Sequence, residues 1–169
     1  MPINKLKLQN FTIKLFSVLG FLVSLYSYYV EMKVEHDKNY IALCDISEHI
    51  SCSKAFNSHY GRGFGILNDI FGEGSILDQP NSLYGMFAYF GMFLLALTDR
   101  IKMSRVFLNV TVMCNVMSVY LGYILIFILK DFCVICVSTY VINFVLVVAA
   151  YKKYHHLISL SHEHDRKNQ

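Results

Sequence analysis

Cys133-Val134-Ile135-Cys136 is the stretch of this chain whose residue types and spacing most clearly carry chemistry. Residues three apart on a helix lie about 5–6 Å apart at Cβ, close enough for a small adjustment to close a disulfide. A thiol at a helix N-terminus is drawn towards the thiolate, the form that attacks electrophiles and other disulfides. Lys130 supports that shift and Asp131 opposes it. A second pair, Cys44 and Cys52, is spaced C-x7-C. The four thiols could be small apolar fillers, the ligands of one zinc ion, or two stations of a thiol–disulfide relay. The relay fits best, because the first pair falls in a polar loop and the second at the edge of an apolar segment. The fifth cysteine, Cys114, sits in the middle of an apolar stretch without an evident partner and reads as structural.

Apolar segments must position these thiols. Of the 169 residues, 55% are hydrophobic and 16% charged, against roughly 25% charged in soluble domains, and the mean hydropathy is +0.43. A disordered tail, a collagen-like chain, a disulfide-packed toxin and a soluble enzyme are all excluded. Four stretches approach the ~20 apolar residues that a membrane crossing needs: Phe11–Val30, Leu83–Leu97, Val106–Leu129 and Phe132–Tyr151. The second is short unless its helix begins at Asn81 and Ser82. No small-residue cleavage site follows the first, so it reads as a retained anchor. The expected fold is an all-α integral membrane protein, a bundle of four transmembrane helices forming one domain over 1–169, with a long loop at about 31–82.

Lys5, Lys7, Lys14, Arg100, Lys102, Arg105, Lys152, Lys153, Arg166 and Lys167 fall on one side of that topology. The other side holds Lys33, Lys38, Lys54, Arg62 and Lys130 among acidic residues. By the positive-inside rule both termini face the cytosol, and the loop with its cysteines faces the compartment where disulfides persist. The net charge of +3 is spread along the chain and gives no sign of nucleic acid. Within the loop, Gly61-Arg62-Gly63-Phe64-Gly65 lacks the spacing of a dinucleotide fingerprint and reads as tight turns. Phe64, Ile66, Leu67, Ile70 and Phe71 follow at partly helical spacing, as in a segment lying in the membrane interface or in a surface helix. Gly72 and Gly74 end it.

Several of these motifs, taken together, resemble the vitamin K epoxide reductase family. They are Leu43-Cys44-Asp45, Ile50-Ser51-Cys52-Ser53, Gly61 to Gly65, Asn81-Ser82, and Asp131 to Cys136 with Thr139-Tyr140, in order and at matching spacings from about Ser24 to Phe144. The resemblance is to the animal branch, which comprises the catalytic subunit of the reductase complex and its "like" paralogue. Lys130 and Leu121-Gly122-Tyr123 lean towards the paralogue. The resemblance implies four helices in the endoplasmic reticulum membrane. It also implies reduction of vitamin K 2,3-epoxide to the quinone, and of the quinone to the hydroquinone. In that scheme Cys136 attacks the substrate, Cys133 resolves the adduct as a disulfide, Cys52 reduces that disulfide, and Cys44 accepts electrons from a luminal thioredoxin-like partner. Asn81 and Tyr140 would hydrogen-bond the substrate oxygens, where a donor stabilises developing negative charge. Phe56, Tyr84 and Tyr89 would form the aromatic wall. No tightly bound cofactor and no metal are implied, and 4-hydroxycoumarin-type compounds would be inhibitors.

For Asn81 the alternative is a helix N-cap, and for Tyr140 a membrane-interface residue. Tyr60 stands where the family usually has tryptophan, after His59 in place of a basic residue, and Tyr84 replaces a common phenylalanine. These departures bear on the lid and on inhibitor sensitivity rather than on the reaction. The tail histidines His155, His156, His162 and His164 read as a solvated face, and Arg166-Lys167-Asn168-Gln169 resembles a retrieval signal. Two other functions compete: a quinone-dependent thiol oxidase that runs the same relay backwards, and a claudin-like junction protein. The second normally carries a tryptophan-based loop signature, and this chain has no tryptophan.

Overall fold

The first apolar stretch is part of a helix much longer than the stretch itself. Helix α1 covers Pro2–His36, and its 35 residues span about 50 Å. The computed structural model describes residues 2–37, 40–45, 50–67, 70, 72, 75, 76 and 78–167, so Lys38, Phe71, Gly74, Asn168 and Gln169 lie outside the described residues. After α1 come the short helix α2 (Cys52–Asn57), two 3-10 turns at His59–Gly61 and Gly63–Gly65, and helices α3 (Asn81–Ala96), α4 (Ile101–Tyr123) and α5 (Val134–Lys167). Among the described residues there is no strand, only an isolated bridge between Arg62 and Pro80.

Three segments, Lys5–His36, Ile101–Ile128 and Val134–Glu163, are long and apolar enough to cross a membrane. The fourth expected span is α3. It does begin at Asn81, yet its 16 residues reach only about 24 Å, less than a ~30 Å hydrocarbon core. The last helix also differs from expectation, because it continues past Tyr151 through the supposed tail. Lys153, expected in a solvated tail, is instead 1% exposed: its Nζ donates to the Thr98 carbonyl at 2.8 Å and pairs with Asp99 at 3.0 Å. Asn10 of α1 donates to the same carboxylate at 2.9 Å. A buried cation is tolerable when it is paired and hydrogen-bonded in this way. The result ties α1, the α3–α4 turn and α5 together at one end of the bundle.

Helix α1 packs along α3 and α5, and α4 packs along α5. The α1–α3 seam is built from small residues, with Ser17, Ser24 and Ser27 buried on α1. A Cβ on Gly20 would meet the Tyr89 ring at 2.5 Å, so only glycine lets the two helices close on that ring. The apolar core joins Ile13, Met92, Phe107, Ile142 and Leu146 from four helices. Helix α4 loosens into a π-helical turn at Ile124–Ile128, and Lys130 then takes a left-handed conformation with φ 50°. That break, at the Lys130-Asp131 step expected from sequence, frees the chain to turn back and start α5 just after Cys133.

Candidate active site

A cavity of about 280 Å³ lies between the four long helices, α2 and the two 3-10 turns. Phe56, Asn81, Tyr84, Tyr89, Cys136 and Tyr140 all line it, so the fold gathers every residue expected to contact substrate, from three elements, around one space. Cys136 and Tyr140 are one helical turn apart on α5 and face the same way. Among the described residues the Tyr140 hydroxyl has no hydrogen-bond partner, which leaves it available to a ligand. Tyr89 differs: its hydroxyl donates to Asn143 Oδ1 at 2.8 Å and is already engaged.

The cysteines occupy two layers behind that wall. Cys133 pairs with Cys136 across a Cα separation of 5.3 Å, and Cys44 pairs with Cys52 across 5.8 Å. Both pairs are joined as disulfides. Cys52 and Cys133 are fully buried and share one cluster with Ala55, Leu125 and Ile135, against which Cys44 and Cys136 pack. Of the four paired cysteines only Cys136 reaches the cavity. The free Cys114 lines it too, on the α4 side, and packs half-buried against the apolar core. Cys133 occupies the position just before α5, and its sulfur accepts the Cys136 N–H at 3.2 Å, so it caps the helix start.

The loop pair is held from the side by Asp45. This carboxylate accepts from the Ala42 N–H at 2.9 Å, the Ser53 N–H at 3.1 Å and the Ser51 hydroxyl at 2.9 Å, and also from the Ser53 hydroxyl. Partial burial works against its charge, but these hydrogen bonds outweigh burial and bring its pKa down to about 2. Lys54, two residues past Cys52, lies 3.7 Å from Asp131, whose side chain is 4% exposed. One ion pair therefore bridges the two disulfide regions.

Asn81 is not an N-cap. Pro80 holds that position without a side-chain bond, and Asn81 is the first residue inside α3. Its carboxamide instead pins the lid: Nδ2 donates to the Tyr60 carbonyl at 2.6 Å, and Oδ1 accepts the Phe64 N–H at 2.9 Å. The lid needs left-handed backbone at Gly63, Phe64 and Gly65, and at Gly65 an added Cβ would run into the Tyr60 ring. Phe64, expected on a membrane-facing or surface helix, turns inwards and its ring lies 5.3 Å from that of Tyr84. Ile66 and Ile70 beyond it are exposed.

A model of the vitamin K epoxide reductase family matches residues 11–151. The chain belongs to this family. It is 40% identical to mouse vitamin K epoxide reductase complex subunit 1 over 135 residues, covering 79% of this chain and 83% of that one. The rat subunit 1 is 38% identical over the same shares. Membership makes the chain an oxidoreductase and leaves the claudin-like reading without support.

Sequence reasoning overlooked several residues that line this cavity. Asn143 follows Cys136 by seven residues, two turns along the same face, and that spacing could have marked it. It links Tyr89 to the Ser118 hydroxyl, to which it donates at 2.8 Å. Glu31, Ser82, Ser24 and Ser27 also line the cavity. On α1 they follow the seam spacing that begins at Ser17 and Gly20. Glu31, at the start of the expected loop, carried no signal of its own.

Proposed function

We propose that this protein reduces vitamin K 2,3-epoxide to the quinone, and the quinone to the hydroquinone, by dithiol chemistry at Cys133 and Cys136. The observation that carries this reading is that Cys136 alone among the paired cysteines touches the cavity, beside Asn81 and Tyr140, while its partner Cys133 lies buried against Cys52. The Cys136 thiolate attacks a ring carbon of the epoxide and opens one carbon–oxygen bond, and Tyr140 donates to the oxygen that gains charge. The Cys133 thiolate then attacks the Cys136 sulfur. The sulfur–sulfur bond forms, the carbon–sulfur bond breaks, and the ring expels the oxygen as water. Overall, dithiol and epoxide become disulfide, quinone and water. Asn81 contributes its remaining N–H to substrate and keeps the lid closed over it.

The packing of Cys52 against Cys133 supports a relay in which the loop pair returns electrons to the helix pair. Cys44, the more accessible member of the loop pair, would accept them from a luminal thioredoxin-like protein. The distribution of basic residues favours a protein of the endoplasmic reticulum membrane with four crossings, cytosolic termini and the cysteine loop in the lumen. Helix α3 would fit a crossing because the Asn81 lid and the Lys153 clamp occupy its two ends. The pocket bounded by Phe56, Tyr84 and Tyr140 would also receive 4-hydroxycoumarin-type inhibitors.

The test is epoxide reduction in microsomes supplied with dithiothreitol. The wild-type chain should produce quinone, and Cys136→Ala should lose turnover by on the order of 10³-fold or more. Undiminished turnover in that variant would remove the mechanism.

A further inference from the structure

Glu31 is an acid that the dithiol chemistry leaves unused. It projects from α1 into the cavity, where the Ser82 hydroxyl donates to its carboxylate. Ser82 directly follows Asn81, so this carboxyl group sits one residue from the side chain expected to hold a substrate oxygen. Glu31 also lines a second, smaller space of about 180 Å³, together with Glu35, Asn57, Ser58 and Arg62. Glu31, Phe56 and Ser58 are common to both spaces. Arg62 and Glu35 pair at 2.9 Å and are both substantially exposed, so the smaller space is a polar vestibule leading out of the protein. Glu31 thus lines both a polar, solvent-facing space and an apolar cavity in which oxygens must gain protons.

We propose that Glu31, held by Ser82, is the proton entry of this active site: it hands a proton to the substrate oxygen on the lid side and is reprotonated from the vestibule. The proposal rests on the reductase reading above. The balance closes. Each epoxide reduced consumes two electrons from the dithiol and two protons. The thiols release those two protons when they become a disulfide, and one of the two returns through the vestibule water and Glu31 to the oxygen that leaves as water. Glu31 begins and ends the cycle protonated. A carboxyl group partly withdrawn from water beside an apolar cavity is suited to this, because the neutral acid is the form that burial favours. The titratable and charged groups lining these two spaces with it are Glu35 on α1, Tyr60 and Arg62 from the lid, Tyr84 and Tyr89 on α3, Cys114 on α4, and Cys136 and Tyr140 on α5. Of these, Arg62 and Glu35 carry the charges that act on it, in opposite senses.

The experiment measures dithiothreitol-driven epoxide reduction across pH for the wild type, Glu31→Gln and Glu31→Asp. Glutamine keeps the hydrogen bond to Ser82 and carries no exchangeable acid. The expected result for Glu31→Gln is a fall in kcat on the order of 10²-fold, the scale of general acid catalysis, with KM little changed. The sign of the pH effect follows from the acid form being the active one: wild-type kcat declines as pH rises through the Glu31 pKa, and that decline is absent in Glu31→Gln. Glu31→Asp should keep the decline at reduced kcat. A solvent deuterium isotope effect on wild-type kcat should shrink in Glu31→Gln, and it can be read on whatever folded fraction the variant yields. Unchanged kcat and an unchanged pH profile in Glu31→Gln would overturn the assignment while leaving the reductase reading intact. Absence of wild-type epoxide reduction would instead overturn the reductase reading, and the proton entry with it.

Discussion

The two disulfides of this molecule are built to opposite designs. The Cys133–Cys136 pair sits at the start of a 34-residue helix, shielded by the bundle, with one sulfur capping the helix and the other facing the cavity. The Cys44–Cys52 pair joins a loop to a six-residue helix; Asp45 holds its polar side, and of that short helix only Cys52 and Ala55 are buried in the cluster around Cys133. Long elements with a shared core open only at a cost close to that of global unfolding. A short helix on a polar staple opens locally at far lower cost. The helix pair is therefore the more rigid of the two and the loop pair the more readily opened, which is the division of labour that the proposed relay requires.

That contrast can be broken in order of expected effect. Replacing Cys44 separates the two roles most sharply. Cys44→Ala should retain most epoxide reduction with dithiothreitol, which reaches the helix pair directly, and should lose at least about tenfold with a thioredoxin-like protein as reductant. Equal losses with both reductants would erase the distinction between the stations. Asn81→Ala removes two lid bonds, each contributing about 1 kcal/mol, so the lid should open more readily by roughly 2 kcal/mol. Limited proteolysis near Arg62 should accelerate, while the helix pair stays protected.

Asp45 offers a pH test confined to the loop pair. Its folded pKa of about 2 lies below the ordinary carboxylate value of about 3.9. A depressed folded pKa stabilises the loop fully above the unfolded value, and the stabilisation is lost as pH falls through the folded one. Exchange protection of the Ala42 and Ser53 amides should therefore hold down to about pH 4 and fade towards pH 2. In Asp45→Asn it should be weak at every pH. The smallest effect belongs to the bridge between the regions. Lys54 is well exposed, so Lys54→Met should cost no more than about 1 kcal/mol in thermal unfolding, and added salt should mask part of it. A larger, salt-independent loss would mean that the two stations are one rigid unit.

Much of this site was legible in one dimension because its chemistry depends on short-range spacing. Cys133, Cys136 and Tyr140 lie within eight residues, and helical periodicity alone places Cys136 and Tyr140 on one face. The apolar stretches located the helices, though not their ends: α5 continues through Lys153 because Asp99 and Thr98 satisfy its charge inside the bundle. Asn81 was found for its likeness to a substrate donor, yet the two partners that occupy its carboxamide lie 17 and 21 residues away. Phe64 was assigned to the wrong side because its left-handed backbone reverses where the ring points.

Composition and spacing by themselves determined that this is an apolar helical protein with a dithiol at the head of its last helix, since both follow from local properties of the chain. Tertiary structure decided which cysteine reaches the cavity, which is buried beside the loop pair, and that Glu31 lines both the cavity and the smaller polar space beside it. Those facts depend on how α1, α3 and α5 are rotated against one another. That rotation is set by close contacts such as Gly20 on Tyr89, between residues 69 positions apart, which periodicity within one helix cannot encode.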